Sequence, residues 1–599
     1  MNLISMKHSE DILRLKHKLE MRLRSARFIY FYFILTLALP NILLAFTEDF
    51  TPVERCANVL LPLGLYILLV SVSRKLGRTI WILLPLIFMA AMQIVLLKLY
   101  GRSVIAVDML LNLTSTNPGE AGELLSNLLP VVIFVCVLYL PSLAMGIWMM
   151  IHRVSLPREF TFRGRIVAYC FMGAGVVCIL MCFATDGSYA MRKDLYPVNV
   201  AYNISLATKH TEKLMNRDRL SNDFQFDGVE THPDSLREIY VVVVGETSRA
   251  DHWQINGYGR PTTPRLAQRD DIFSFGRAMS ESNTTHKSVP LILSHLDSSN
   301  YGDSIYVVKS ILSLFKEAGF NTAFVSNQQR NGSFIDFFGE EADTTIFLKD
   351  HMDSGSLSGY DLDLLDEFDR ILSAKHRKQL IVLHSYGSHF GYKDRYPENF
   401  SYFKPDNYSE ASFSEKEKLI NAYDNTIRMT DELLAGLIER LDSTGVDMAA
   451  LVYTSDHGED LYDDDRHLFL HASPCPSFYQ LRVPFIVWLS QGYVSTRPKA
   501  AMALRHNCSK RISSSRSLFD TTTRLAGIRT SRSSCRDNVA SLKYKEPERT
   551  YLDDHNKSVP LSESGFRKED MEQLMRLDGH NRLALTSRQQ GADRCCATR

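Results

Sequence analysis

Three apolar runs in this chain each end in side chains able to hold a divalent cation. Val241-Val242-Val243-Val244 leads into Gly245-Glu246, Ile381-Val382-Leu383 into His384 and on to His389, and Leu451-Val452-Tyr453-Thr454 into Ser455-Asp456-His457. Carboxylates and imidazoles together suit a borderline metal such as zinc. Taken alone, Asp456-His457-Gly458-Glu459 reads as a surface turn; its place after an apolar run, matched by Gly245-Glu246, points instead to a metal. The segment Ser282-Asn283-Thr284-Thr285-His286-Lys287-Ser288-Val289-Pro290 adds hydroxyls. Locally the simpler reading is a helix cap, but a helix amino terminus also binds phosphate through its free N–H groups. A metal-bound threonine hydroxyl there would have a depressed pKa and could attack phosphorus.

Such groups meet when parallel strands deliver them to the carboxyl edge of an open sheet. From about residue 236 the pattern alternates between strand-like runs (239–244, 321–326, 379–384, 448–454 and 483–489) and helical patterns (304–318, 360–374 and 414–442). This predicts parallel strands joined by crossover helices, hence an α/β sandwich. No internal repeat is present.

The first third is oily. Apolar stretches near 28–46, 56–73, 79–97, 128–150 and 166–183 are each close to the length a helix needs to cross the hydrocarbon core. A charged segment precedes the first and further spans follow it, so it is not a cleavable signal. Lys7, Arg14, Lys16, Lys18, Arg22, Arg24 and Arg27 precede span one. Arg74, Lys75 and Arg78 lie between spans two and three, and Arg153, Arg158, Arg163 and Arg165 between four and five. The positive-inside rule puts these in the cytoplasm and residues 185–599 outside; a three-span alternative leaves the same final side. The expected domains are a cytoplasmic segment (1–27), a five-span membrane domain (28–184), a linker with a membrane-surface helix around 198–216 (185–235), a catalytic domain (236–565) and a polar tail (566–599).

With 68 acidic and 68 basic residues the chain has no net charge, which argues against a nucleic-acid partner. Five cysteines lie in or beside the oily part. Cys475, Cys508, Cys535, Cys595 and Cys596 are an odd number and cannot all pair with one another; Cys508 with Cys535 is one conceivable disulfide.

Several motifs together resemble one family. They are Val243-Val244-Gly245-Glu246-Thr247-Ser248-Arg249-Ala250, Asn256-Gly257-Tyr258, Pro261-Thr262-Thr263-Pro264-Arg265-Leu266, Gly387-Ser388-His389 with Arg395-Tyr396-Pro397, Ile420-Asn421-Ala422-Tyr423-Asp424-Asn425, Ser455 to Glu459, and Leu470-His471. With Asp108-Met109-Leu110 and Thr116-Asn117-Pro118-Gly119-Glu120-Ala121, they are similar to the phosphoethanolamine transferases that modify lipid A. These are inner-membrane enzymes of the alkaline phosphatase/sulfatase superfamily, a group that includes the mobile colistin-resistance enzymes.

The resemblance implies a zinc ion, with room for a second, bound by Glu246, Thr285, Asp456 and His457. Thr285 is preferred to Thr284 because the family's nucleophile lies five residues before the proline matched by Pro290. His389 and His471 match histidines that contact substrate phosphate or a second zinc; His467 is a nearby extra candidate better explained as an exposed loop residue. Asn112, Thr116 and Glu120 match residues thought to hold the donor's ethanolamine head group, where Glu120 would pair with an ammonium; equally, Glu120 suits a helix start after Asn117-Pro118. Ser326-Asn327-Gln328-Gln329-Arg330 is closer to relatives acting on core heptose or glucan, so Asn327 and Gln328 are expected at the acceptor side. Many relatives bracket the nucleophile with a disulfide; here Glu281 and Leu291 stand at those places, so packing is expected to hold the site.

The implied reaction moves phosphoethanolamine from phosphatidylethanolamine to Thr285, releasing diacylglycerol, and then to lipid A, core sugar or another envelope glycan, in the periplasm. The rivals are a glycerol-phosphate transferase of the lipoteichoic-acid synthase type and an inactive membrane scaffold. A sulfatase is disfavoured, since residues 282–290 lack the Cys- or Ser-x-Pro-x-Arg motif its modified residue needs.

Overall fold

The computed structural model describes residues 3–48, 50–100, 104–115, 129–185, 189–350, 357–408, 412–530 and 548–579. The described residues form two compact units, one of those within 3–106 and 129–205, the other of those within 107–115 and 206–579.

The first unit is helical: α1 (Leu3–Thr47), α2 (Pro52–Val72), α3 (Leu76–Ile82), α4 (Leu84–Tyr100), and, beyond α5 (Val107–Ser115) of the other unit, α6 (Leu129–Ile151) and α7 (Arg158–Thr185). Among the described residues, four helices are long and apolar enough to span a membrane, and α3 with α4, bent by 59°, makes a fifth if counted as one span. Pro85 sits at the bend, where its missing N–H and its bias on the preceding residue interrupt a helix. α2 starts with a capping box between Thr51 and Glu54. It packs against α7 through glycines: a Cβ on Gly64 would lie 2.7 Å from the Met172 amide nitrogen, and one on Gly175 2.7 Å from that of Leu61. The segment expected as a cytoplasmic tail is helical from Leu3 and continuous with the first span. The helix expected near 198–216 is α8 (Val198–Met215).

In the other unit, β1 (Glu238–Gly245), β2 (Ile272–Ser274), β3 (Asn321–Ser326), β4 (Thr344–Phe347), β5 (Lys378–His384), β6 (Met448–Ser455) and β7 (Phe485–Leu489) form one sheet in the order β2-β7-β6-β1-β5-β3-β4. β1 is buried along its whole length, as its unbroken apolar run requires for a central parallel strand. The helices α9 (Thr285–Leu293), α10 (Ile311–Glu317), α11 (Asp363–Ser373), α12 (Lys416–Ser443), α13 (Ser514–Leu525) and α14 (Lys568–Asp578) accompany the sheet. Val242 and Val244 of β1, Leu291 and Leu293 of α9, and Leu518 and Phe519 of α13 share one core.

Four details depart from the expectations. β7 runs antiparallel to β6: no helix carries the chain from β6 back to the other edge, so the next strand returns from the edge where β6 stopped. The helix expected over 304–318 occupies Ile311–Glu317, with a short turn at Ser304–Tyr306 before it. Residues 566–579 are not a tail. In α14, Leu574 packs with Phe478, Tyr551 and Phe566, and the Asp570 carboxylate accepts Arg466 Nη1 at 2.6 Å and the Phe478 amide at 2.9 Å. Cys508 is a free thiol, so the pairing with Cys535 does not form, and Cys475 is disulfide-bonded.

Candidate active site

Register brings the candidate ligands together. β1 lies between β5 and β6, all parallel, with Gly245 opposite Ser455 and Val244 opposite His384. One step beyond, the Asp456 amide donates to the Gly245 carbonyl at 3.0 Å, and the Thr247 amide to Asp456 Oδ1 at 3.0 Å. The turn after β1 is tight: Thr247 has φ +59°, and Tyr423 Oη from α12 donates to the Thr247 carbonyl at 2.8 Å. Gly387, at φ +51°, passes so near that a Cβ there would sit 2.6 Å from the Glu246 carbonyl oxygen.

Glu246, Asp456 and His457 are fully buried, with ligand atoms within 4.8 Å of one another. Thr285, at the start of α9, is half-buried; its Oγ1 donates to Glu246 Oε1 at 3.2 Å and lies 3.1 Å from His457 Nε2. His457 Nδ1 faces the Gly458 carbonyl oxygen at 2.9 Å, which fixes the tautomer and leaves the Nε2 lone pair toward Thr285. Burial, and then the charge of Asp456, push the Glu246 carboxyl well above its ordinary range. Burial raises Asp456 to about 6 and drives His457 far down, with His471 adding to the latter. Two opposed buried carboxylates beside an unprotonated imidazole are electron-pair donors without a charge to match, and a divalent cation supplies that charge. The donor set fits zinc.

His471 joins this edge. Its ring centroid is 4.1 Å from that of His457, and its Nδ1 is 2.9 Å from Oε2 of Glu459, which also accepts from Tyr392 Oη. The neighbouring Leu470 and Ala472 take φ +68° and +63°. His389, half-buried, stacks on Tyr386 at 5.1 Å; burial, with Arg395 and His471 adding, lowers it to about 3. His467 is exposed against Phe413, 4.0 Å between centroids, away from this edge.

Asn327 and Gln328 diverge. Gln328 Nε2 donates to Glu246 Oε2 at 3.2 Å and to the Ser385 carbonyl at 3.0 Å. Asn327 instead donates to Asp361 Oδ1 at 2.8 Å, and Asp361 in turn accepts the Tyr386 and Gly387 amides. Asn112 lies in α5, but its side chain, like Thr116 and Glu120, is outside the described residues. Sequence reasoning assigned no role to Glu459, Tyr392 or Ser288, whose Oγ lies 3.4 Å from Asp456 Oδ2; only their contacts mark them.

Packing anchors one end of the nucleophile segment and hydrogen bonds anchor the other. The buried Glu281 carboxylate accepts Ser298 Oγ at 3.0 Å, Ser513 Oγ at 2.9 Å and Ser515 Oγ at 2.8 Å, joining the loop to the start of α13. Leu291 is in the core.

A sulfatase family model matches residues 238–528. That match lies within the sheet-bearing unit, in a chain that also has four or five membrane-length helices. The chain is similar to the phosphoethanolamine transferase EptA of Escherichia coli (strain K12), at 27% identity over 511 residues, covering 82% of this chain and 91% of the relative. It is also similar to the Kdo(2)-lipid A phosphoethanolamine 7''-transferase of Salmonella typhimurium, at 28% over 270 residues, 44% of this chain and 47% of that one. The integral membrane lipooligosaccharide phosphoethanolamine transferase A of Neisseria meningitidis shares the fold, with a TM-score of 0.64 at 22% identity, covering 83% of this chain and 96% of that one.

Proposed function

We propose that this protein transfers phosphoethanolamine from phosphatidylethanolamine to a lipopolysaccharide acceptor, lipid A or a core sugar, on the periplasmic face of the bacterial inner membrane. The observation that carries this reading is a threonine hydroxyl between a buried carboxylate and an imidazole nitrogen, 3.2 and 3.1 Å away, at the start of a helix. Its setting supports it: a chain similar to EptA over 511 residues.

Glu246, Thr285, Asp456 and His457 would hold zinc, which when bound lowers the pKa of the threonine hydroxyl and balances phosphoryl charge. Thr285 Oγ1 gives up its proton to solvent and attacks the donor phosphorus; the threonine O–P bond forms and the bond to the diacylglycerol oxygen breaks. That oxygen takes a proton from His471, while His389, which burial keeps unprotonated, is left to contact the substrate phosphate. His471 is the better oriented, since Glu459, itself held by Tyr392, fixes its Nδ1. An acceptor oxygen, its proton passing to the now neutral His471, then attacks the phosphothreonine; the acceptor O–P bond forms, the threonine O–P bond breaks, and Thr285 Oγ1 regains a proton from solvent. Asn112, Thr116 and Glu120 receive the ethanolamine head group. Each product gains an ammonium, so the modified surface binds cationic peptides such as polymyxins less tightly.

Mass spectrometry of lipid A and core from cells expressing wild type or Thr285→Ala tests the reading. A gain of one phosphoethanolamine with wild type alone is expected. A glycerol-phosphate gain would replace it with the teichoic-acid-type reaction, and no gain from correctly inserted protein would leave a scaffold.

A further inference from the structure

The two residues that follow Thr285 are gripped by one carboxylate from a distant part of the chain. Asp108, on α5, is 6% exposed. Its Oδ2 accepts Lys287 Nζ at 2.6 Å, and its Oδ1 lies 3.1 Å from His286 Nε2. Lys287 is 2% exposed and also donates to the Asp553 carbonyl at 2.7 Å. The two residues before Asp553 fasten the other side of the loop: the Leu552 amide donates to the Glu281 carbonyl at 2.8 Å, and Tyr551 Oη to Asn283 Oδ1 at 2.8 Å. The first turn of α9 is thus held between α5 and residues 551–553. Although burial acts to raise it, Lys287 and His286 hold the Asp108 carboxyl below its ordinary range, so the grip is ionic.

Burying charges to make such a grip is a poor route to stability, because desolvation offsets the attraction and an apolar pair of similar size often serves as well. What an apolar pair lacks is direction. A carboxylate with one oxygen on each of two adjacent residues sets the rotation of the helix turn that carries them, and Thr285 Oγ1 turns with it. α5 also carries Asn112, so the same contact ties the helix expected to receive the donor head group to the helix bearing the nucleophile.

We propose that Asp108 is a positioning residue for the transfer reaction, which aligns Thr285 with the donor phosphorus by clamping His286 and Lys287. This rests on the functional reading above. Misplacing an attacking atom by an ångström costs on the order of a hundredfold in rate, and a partial loss of the clamp is expected to cost tenfold or more.

The test uses the full-length protein in lipid nanodiscs containing phosphatidylethanolamine, with kcat, KM, bound zinc and thermal midpoint measured for three forms. Asp108→Asn keeps the side-chain shape and loses the charge; its kcat should fall about tenfold or more, with KM and zinc content near wild type. Asp108→Leu combined with Lys287→Met leaves no buried ion unpaired; it should regain the wild-type midpoint without regaining kcat. Wild-type kcat in Asp108→Asn, a change confined to KM, or kcat recovering together with the midpoint in the double variant would each overturn the clamp. Absence of transfer by wild type measured alongside would overturn the functional reading, and the clamp with it.

Discussion

An amide set against a buried carboxylate orients the acid and satisfies one of its lone pairs. Gln328 does this for Glu246, and its second hydrogen bond, to Ser385, anchors it to the loop after β5. Groups that orient metal ligands in this way commonly change affinity by about 10–100-fold when removed. Gln328→Leu is therefore expected to weaken zinc binding by roughly that factor, read by competition against a chromogenic chelator, while Asn327→Leu, which removes a bond to Asp361 instead, should leave zinc affinity within about threefold of wild type, as for a residue outside the ligand contacts. Equal losses in the two variants would show that the Glu246 contact has no special weight. The sequence neighbours Asn327 and Gln328 looked equivalent before the fold was known, because a residue at a strand end has no legible direction until its turn is built.

At the scale of elements, the central strands and the groups at their ends were legible in the sequence. An apolar run buried on both faces has few alternatives, and a polar group just beyond it must emerge at the sheet's edge. The short strands Ile272–Ser274 and Thr344–Phe347 were not legible, since two to four residues carry no periodicity. Nor were Glu281, Glu459 and Asp108, whose meaning comes from partners far along the chain. β5 also supplies a pH dependence. His384, at its end, is buried against Ser326 Oγ, 3.1 Å from Nδ1, and burial lowers it from 6.5 to about 4. The unfolded imidazole takes a proton below 6.5 while the folded one stays neutral until about 4, so its contribution to stability is complete above 6.5 and is lost as pH falls toward 4. The difference is worth roughly 3 kcal/mol. His384→Phe, similar in size and unable to titrate, should flatten the fall of the thermal midpoint between these pH values. An acid-side fall as steep as that of wild type would place the sensitivity elsewhere.

For the whole molecule, the decisive question is which side of the membrane the soluble unit occupies, and the bent pair α3–α4 sets the answer. Four crossings would return the chain to the side of its amino terminus; five would not. Hydrogen bonds within the helical unit count them. The Leu156 amide donates to the Arg74 carbonyl at 2.9 Å, and Arg74 Nε to the Leu156 carbonyl at 2.9 Å, so the turns before α3 and after α6 share a side. If α6 spans the membrane, as its length and composition allow, α3–α4 is expected to supply the other crossing. At the opposite end, Asn41 Nδ2 donates to the Tyr196 carbonyl at 2.7 Å, and Tyr189 Oη to Asn58 Oδ1 at 2.8 Å. Tyr189 and Tyr196, beyond α7, therefore lie beside α1 and α2, which on the five-span reading is the end one crossing away from the amino terminus. The basic residues Arg74, Lys75, Arg78, Arg153 and Arg158 all gather at the first end, which the positive-inside rule assigns to the cytoplasm. In spheroplasts, added protease should digest the soluble unit, while a tag inserted after Lys75 becomes accessible only once the membrane is opened. A tag at that turn cleaved in intact spheroplasts, with the soluble unit protected, would invert the orientation and remove the enzyme from any lipopolysaccharide acceptor outside.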